Sequence, residues 1–333
     1  MQILLTGAAG FIGSATALEL ARRGYKVLAI DNFSPYYSKA LKEQRVNSLL
    51  HDSLIEFRRC DLAQAEQVND LFQNSSITAV VHLAAQAGVR IPISDWGKYT
   101  RDNLQAFSNI LVASVQNNVR SFLYASSSSV YGNSAQSSFN ETSTYPSPVS
   151  FYGATKFANE IMAKTVSQNS GIKTRGLRFF TVYGPWGRPD MVYFRMIASA
   201  ISQRPFEFFG DGTIERDFTY ISDVADINCR LLEEILGRSN SFSDVVNIGG
   251  GRPRSINEIL EIIRQISGRN IPFIQKGADI RDVSKTNADF GYLRSLVGKY
   301  PSVETDIGLE KTYEWASQLQ DIGSLNDWVS SVT

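Results

Sequence analysis

From the first residues, short apolar runs rich in β-branched side chains alternate with longer stretches whose apolar positions recur at helical spacing. The runs Gln2 to Leu5, Lys26 to Ile30, Leu54 to Arg58, Ala79 to His82, Ser121 to Tyr124 and Thr174 to Arg178 predict strands. Between them, Phe11 to Arg23, Tyr99 to Asn117 and Phe151 to Val166 predict helices; in the first, Phe11, Ile12, Ala15 and Leu18 fall on one face. Strand-helix-strand units repeated in this way are right-handed and build a doubly wound parallel sheet with helices on both faces, so the fold class is α/β.

After about Gly184 the rhythm changes. Arg195 to Ser202, Phe206 to Phe209, Asp223 to Leu236 and Ile256 to Ile266 read as short strands and helices that need not continue the same sheet. The expectation is a Rossmann-type domain over residues 1–184 and a smaller C-terminal α/β substrate-binding domain over residues 185–333. Asp217 to Ile221 and Val245 to Ile248 are runs able to return to the first sheet, and the stretch after Trp315 reads as polar.

Composition narrows the function. Lys+Arg and Asp+Glu both number 33, and the net charge of zero gives no long-range attraction for nucleic acid or an anionic membrane. With 43% hydrophobic and 20% charged residues the chain is too apolar for disorder. Cys60 and Cys229 stand far apart without CxxC spacing, which argues against a disulfide framework or a cysteine zinc site and for a reducing, cytoplasmic setting. The opening MQILLTGAAGFIG carries no basic leader and no long apolar stretch, so no targeting is expected. His82 closes an apolar strand with no second histidine or carboxylate cluster nearby in sequence, and no metal is assigned.

Gly7, Gly10 and Gly13 form G-x-x-G-x-x-G directly after the first strand and open the first helix together with Phe11 and Ile12. Glycines there allow a tight turn and let backbone N–H groups approach a pyrophosphate. The second strand ends at Asp31-Asn32, where a carboxylate accepts hydrogen bonds from adenosine ribose hydroxyls and repels a 2′-phosphate; this favours NAD over NADP. Asp61-Leu62 follows the third strand, as an adenine contact or as a helix N-cap. Ala84, Ala85 and Gln86 follow the fourth strand, at the edge where cofactors lie.

Tyr152 and Lys156 stand i, i+4, on one helix face, and a lysine ammonium beside a phenol lowers its pKa and makes it a usable general base. Ser126, Ser127, Ser128 and Ser129 follow the fifth strand at its carboxyl end, as a turn or as hydroxyls facing the same crevice.

Taken together, the glycine motif, Asp31, Asp61-Leu62, SSSSVYG and YGATK resemble the extended short-chain dehydrogenase/reductase family over nearly the whole chain. HLAAQAGVR (His82 to Arg90) and RFFTVYGPWGRPDM (Arg178 to Met191) resemble the nucleotide-sugar epimerases that act on UDP-glucuronic acid. The resemblance implies that Tyr152 takes the sugar hydroxyl proton, Lys156 holds the nicotinamide ribose, and Ser127 holds the hydroxyl, with Ser128 the next candidate because the register is open by one. It sets Ser126 and Phe179 beside the nicotinamide and Thr181 beside the sugar. FFGDGTIERDFTYISDV resembles the UDP-binding segment, with Phe209 either stacked on uracil or packed in the core and Arg216 on the diphosphate. ADIRDVSKTNAD adds Asp279 or Arg281 as a further contact, although the familiar Gly-Asp reads Ala278-Asp279 here.

Related enzymes share oxidation at sugar carbon 4 and then diverge. The resemblance implies an Asp-Glu pair in dehydratases and a glutamate before VYG in decarboxylases, whereas this chain has Ser128-Ser129. Epimerisation needs no such carboxyl group. The reading is therefore interconversion of UDP-glucuronic and UDP-galacturonic acid with bound NAD. Arg188, with Arg90 as the alternative, is expected to pair bidentately with the uronate carboxylate and, aided by Thr181, to suppress loss of carbon dioxide from the keto intermediate. Alternatives are a UDP-glucuronate decarboxylase, a neutral UDP-sugar epimerase and a non-catalytic NAD-binding protein. The resemblance also implies a homodimer through Tyr99 to Asn117 and Phe151 to Ala163.

Overall fold

A run such as Ile3-Leu4-Leu5, apolar at every position, needs cover on both sides and belongs at the centre of a sheet. The computed structural model describes residues 1–133, 136–142, 144–278, 283–319 and 322–331. In chain order its strands are β1 (Gln2–Thr6), β2 (Lys26–Asp31), β3 (Ile55–Arg59), β4 (Ile77–His82), β5 (Ser121–Ser127), β6 (Lys173–Phe179), β7 (Thr181–Tyr183), β8 (Phe206–Phe209), β9 (Glu215–Tyr220), β10 (Ser243–Ile248), β11 (Pro253–Ser255) and β12 (Phe273–Lys276). The helices are α1 (Phe11–Arg22), α2 (Lys39–Leu49), α3 (Ala65–Gln73), α4 (Trp96–Tyr99), α5 (Ala106–Gln116), α6 (Phe151–Ser170), α7 (Val192–Ser202), α8 (Ile221–Gly237), α9 (Ile256–Ser267), α10 (Gly291–Val297), α11 (Thr305–Ser317) and α12 (Ile322–Ser330). None is long and apolar enough to cross a membrane among the described residues.

Seven strands form one parallel sheet in the order β10, β6, β5, β4, β1, β2, β3. The winding reverses between β1 and β4, so the loops after those strands open a crevice at the carboxyl edge, where ligands of such sheets bind. The fold is the expected doubly wound one. β5 outruns its apolar pattern because its ladder with β6 continues through Ser126↔Arg178 and Ser127↔Phe179, which carries two serines to the crevice.

Of the two late runs, Val245 to Ile248 does return to the main sheet, as part of β10 beside β6. Asp217 to Ile221 does not: β9 lies between β7 and β11 in a separate three-stranded sheet, and β8 pairs with β12 in a third. The predicted helix Tyr99 to Asn117 is interrupted by a π-helical segment, Thr100–Gln105, and Asn103 within it is buried. The tail after Trp315 is not merely polar. Leu325 and Trp328, i and i+3 on α12, are buried at 0% and 2% exposure, and Ser331 Oγ accepts a bond from the Ser38 N–H. In the sequence of α12 Ile322, Leu325, Trp328 and Val329 recur at helical spacing between polar residues, a signal that the reading of this stretch as polar passed over.

His82 at the end of β4 is buried between Phe107 and Phe122, with Nδ1 at 2.9 Å from Thr6 Oγ1. Burial, with the Lys156 charge adding to it, pushes the imidazole down to about 3. The unfolded chain then binds a proton that the folded one refuses below the ordinary value of 6.5, so stability falls as pH falls. Between pH 6.5 and about 5 this amounts to about 2 kcal/mol. Urea titrations should show that loss in the wild type and its absence in His82→Gln.

Candidate active site

The loop after β1 is built on glycines for steric reasons. Gly7 has φ +74°, and a Cβ there would lie 2.7 Å from the Ala84 nitrogen; at Gly13 it would lie 2.0 Å from the Gly7 carbonyl oxygen. The first turn of α1 is thus drawn against the loop, with Ala84 of the β4 loop alongside. At the end of β2, Asp31 Oδ2 accepts from the Ala9 N–H at 3.1 Å and Oδ1 from the Phe33 N–H at 2.7 Å, and Asn32 Oδ1 accepts from the Ser34 N–H. Two bonds fix the Asp31 carboxylate while lone pairs remain for hydroxyl donors. Asp61 is not the N-cap of α3, a position held by Gln64. Its carboxylate accepts from the Ala63 N–H and pairs with Arg101 of the π-helical segment.

Ser150 caps α6 by accepting from the Gly153 N–H at 3.1 Å. Gly153, inside the Y-x-x-x-K spacing, has a packing reason: a Cβ there would lie 2.6 Å from the Ser129 carbonyl oxygen. Its absence lets the first turn of α6 close onto the serine loop and brings Tyr152 to Ser127. Lys156, 2% exposed, donates to the Ala125 carbonyl at 3.0 Å, and its Nζ lies 5.9 Å from the Tyr152 ring centre.

The electrostatics differ from the sequence expectation. Burial raises the Tyr152 phenol above its ordinary value, against the opposing pull of the Arg188 charge and of a hydrogen bond with Ser127. Burial also pushes the Lys156 ammonium down, to about 7.

The inner face of α6 is polar, and a network that sequence reasoning missed explains it. Glu160 takes a two-pronged pair from Arg178 (Nε 2.9 Å, Nη2 2.8 Å) and accepts from Ser126 Oγ. Ser126 is thereby committed to Glu160, which leaves Ser127 beside Tyr152. Asn103 Oδ1 accepts from the Gln86 N–H at 2.7 Å, its Nδ2 donates to the Gln86 carbonyl and Thr155, and Asn159 donates to the Asn103 carbonyl. The sequence signal was there: Asn103, Asn159 and Glu160 are polar at positions where a helix packs inward.

On the sugar side, Thr181 opens β7, and Arg188 lies in the loop between β7 and α7. The side-on face of its guanidinium is taken by Asp190, with Nε to Oδ1 at 3.0 Å and Nη2 to Oδ2, and Asp190 also accepts from Tyr36 Oη. Arg188 keeps the two N–H groups of Nη1 and the second N–H of Nη2, so its end-on face still presents two donors side by side for a carboxylate while the other face holds Asp190. Phe209 ends β8 half-buried with the Arg90 guanidinium 4.7 Å above its ring, and Arg216 donates to the Val283 carbonyl. Asp279 and Arg281 lie outside the described residues.

One cleft of about 660 Å³ joins all of this: the glycine loop with Phe11 and Ile12, Asp31, Asn32, Asp61, Leu62, Ala84, Ala85, Gln86, Arg90, Ser126 to Ser128, Tyr152, Lys156, Phe179, Thr181, Arg188, Phe209 and Arg216 all line it. The described residues hold no group of three or more histidine, cysteine or carboxylate side chains placed for a metal.

The profile of the NAD dependent epimerase/dehydratase family matches residues 3–249. Among curated relatives, the chain is 35% identical over 316 residues to the UDP-glucuronate 4-epimerase of Thermodesulfobacterium geofontis, covering 95% of this chain and 96% of that one. Among solved structures, UDP-glucuronic acid 4-epimerase from Bacillus cereus in complex with UDP-glucuronic acid and NAD matches with a TM-score of 0.89 at 35% identity, over 96% of this chain and 100% of that one. UDP-glucose 4-epimerase from Thermotoga maritima with UDP-glucose matches with a TM-score of 0.85 at 26% identity, over 96% and 100%. With a dinucleotide cradle, a Ser-Tyr-Lys set and a second ligand half meeting in one cleft, the chain belongs to the NAD-dependent epimerase/dehydratase family, as an enzyme that uses NAD to act on nucleotide sugars.

Proposed function

We propose that the protein is a UDP-glucuronate 4-epimerase, interconverting UDP-glucuronic and UDP-galacturonic acid. The observation that carries this reading is Arg188: a cation in the sugar half of the cleft, close enough to Tyr152 for its charge to act on the phenol. The similarity to the B. cereus enzyme with its bound UDP-glucuronic acid supports the same substrate.

The cradle fits NAD, because Gly7 and Gly13 leave backbone where side chains would intrude and Asp31 faces the cleft beside them. Bound there, NAD would supply the hydride chemistry for carbon 4 of the sugar. The protein's part is positioning and proton transfer. Tyr152 Oη takes the proton of the carbon-4 hydroxyl, Ser127 Oγ orients that hydroxyl, and Lys156 holds the nicotinamide ribose. Phe209 and Arg216 engage the uridine and diphosphate. Two carboxylates on elements of this site, Glu160 and Asp190, are gripped by the forks of Arg178 and Arg188, so neither serves as an acid or base at a neighbouring carbon. The exposed apolar side chains Val112 on α5 and Ile161 on α6 fit a homodimer joined through those helices.

One observation favours a second reading. Asp190 already neutralises Arg188, a balance that suits a neutral UDP-sugar. Incubating the purified protein with UDP-glucuronate and, separately, UDP-glucose separates the two. UDP-galacturonate as the principal product supports the reading; conversion of UDP-glucose alone, or release of a pentose derivative without epimer, overturns it.

Asp31 also sets the cofactor. A carboxylate that receives ribose hydroxyls faces a 2′-phosphate with like charge, so NADP is expected to bind stripped protein at least about tenfold more weakly than NAD. Titration of both cofactors checks this, and equal affinities would remove Asp31 from that role.

A further inference from the structure

Arg45 belongs to no motif and touches no reacting group, yet its guanidinium is 0% exposed and no carboxylate is among its partners. Nε donates to the Trp186 carbonyl at 2.9 Å, Nη2 to the Gly187 carbonyl at 2.9 Å, and Nη1 to the Ala9 carbonyl at 3.2 Å and to Tyr37 Oη at 2.7 Å. Burying a charge against three carbonyl oxygens and one phenol oxygen is costly, and removing it would leave those oxygens without this donor in the interior. The acceptors show what the charge holds. Ala9 belongs to the glycine loop, whereas Trp186 and Gly187 immediately precede Arg188. Trp186 has φ +63°, a left-handed backbone unusual for a bulky residue, and its carbonyl is one of the three that Arg45 holds.

A second handle comes from the connection between β2 and α2, just ahead of the helix that carries Arg45. Tyr36 Oη donates to Asp190 Oδ2 at 3.2 Å, on the carboxylate that takes the Arg188 fork. Gly88 makes room for it, since a Cβ there would lie 2.1 Å from Tyr36 Oη. Arg188 is thus gripped twice from the cofactor-binding half of the chain, through its preceding backbone by Arg45 and through its side-chain partner by Tyr36.

We propose that Arg45 and Tyr36 are positioning residues for sugar selection, fixing the Arg188 loop against the glycine loop so that the guanidinium meets the substrate carboxylate in one orientation. This rests on the assignment of Arg188 to the uronate given above. A merely structural role would lower turnover of every nucleotide sugar together; a positioning role changes the ratio between them.

The test uses NAD-loaded wild type, Arg45→Lys and Tyr36→Phe, each variant also combined with Arg188→Ala, with kcat and KM measured for UDP-glucuronate and UDP-glucose. Arg45→Lys keeps the charge and loses the fork, and is expected to raise KM for UDP-glucuronate about tenfold; Tyr36→Phe is expected to raise it about threefold. Both should leave kcat/KM for UDP-glucose within about twofold, and neither should have a further effect once Arg188 is alanine. Equal losses on both substrates, or an undiminished Tyr36→Phe effect in the Arg188→Ala background, would overturn the proposal. If Arg45→Lys does not fold, Tyr36→Phe decides alone, because it removes one hydroxyl and keeps the ring. The wild-type ratio tests the functional reading separately: no preference for the uronate overturns that reading and this proposal with it, whereas a preference unmoved by the variants overturns only this proposal.

Discussion

Tyr152→Phe should lower turnover of the preferred UDP-sugar by at least the roughly hundredfold typical of a lost general base, with NAD affinity nearly unchanged. The change removes one oxygen and keeps the ring that packs beside Tyr99. Gly153 and the Ser150 cap fix the first turn of α6 independently of the hydroxyl, so the cleft should survive intact. Burial raises the phenol above its ordinary value, and the Arg188 charge and the Ser127 hydrogen bond pull against it. Lys156→Ala, by contrast, should damage cofactor affinity and turnover together. Initial rates at saturating sugar, with cofactor titrations on both variants, separate the two, and a Tyr152→Phe enzyme of near-normal rate would place the base elsewhere.

Arg188→Ala should weaken UDP-glucuronate binding, narrow its advantage over UDP-glucose and release a larger fraction of decarboxylated 4-keto pentose per turnover. Losing one partner of a buried, hydrogen-bonded charge pair costs on the order of 2 to 5 kcal/mol. Here part of that cost comes from Asp190, which would be left as a cleft carboxylate without its cation and would repel the uronate. The double variant with Asp190→Asn isolates the rest: affinity for the uronate should partly recover while decarboxylation stays high, because no cation remains to localise the carboxylate charge. Calorimetry of both sugars and product analysis check this. Full retention of uronate preference by Arg188→Ala would move the clamp to Arg90.

The expectation for Arg188 shows where sequence reading stopped. Its place in a specific segment identified it as a cation of the sugar site, and the structure places it in the cleft. What one residue's identity does not reveal is which of its donors are already used. Asp190 stands two positions away, an ordinary acidic neighbour in the sequence, and the loop with Trp186 in a left-handed conformation turns it onto the guanidinium. The Tyr152 and Lys156 pair repeats the lesson. Spacing set their common face, but the pKa argument depended on dielectric, and burial moves the phenol up and the ammonium down.

By itself the sequence determined whatever depends on local pattern. Fully apolar runs made the central strands, glycines marked where backbone must approach backbone, and the i, i+4 spacing set Tyr152 and Lys156 on one helix face, because each of these is fixed by chain geometry within a few residues. The tertiary structure decided what depends on partners far apart in the chain. It extended β5 to Ser127 through the β6 ladder, turned Asn103 inward in a π-helical segment, committed Ser126 to Glu160, and buried Arg45 between Ala9 and Gly187. Hydrogen bonds and charges satisfy whichever group packing brings near, and no local periodicity records that choice.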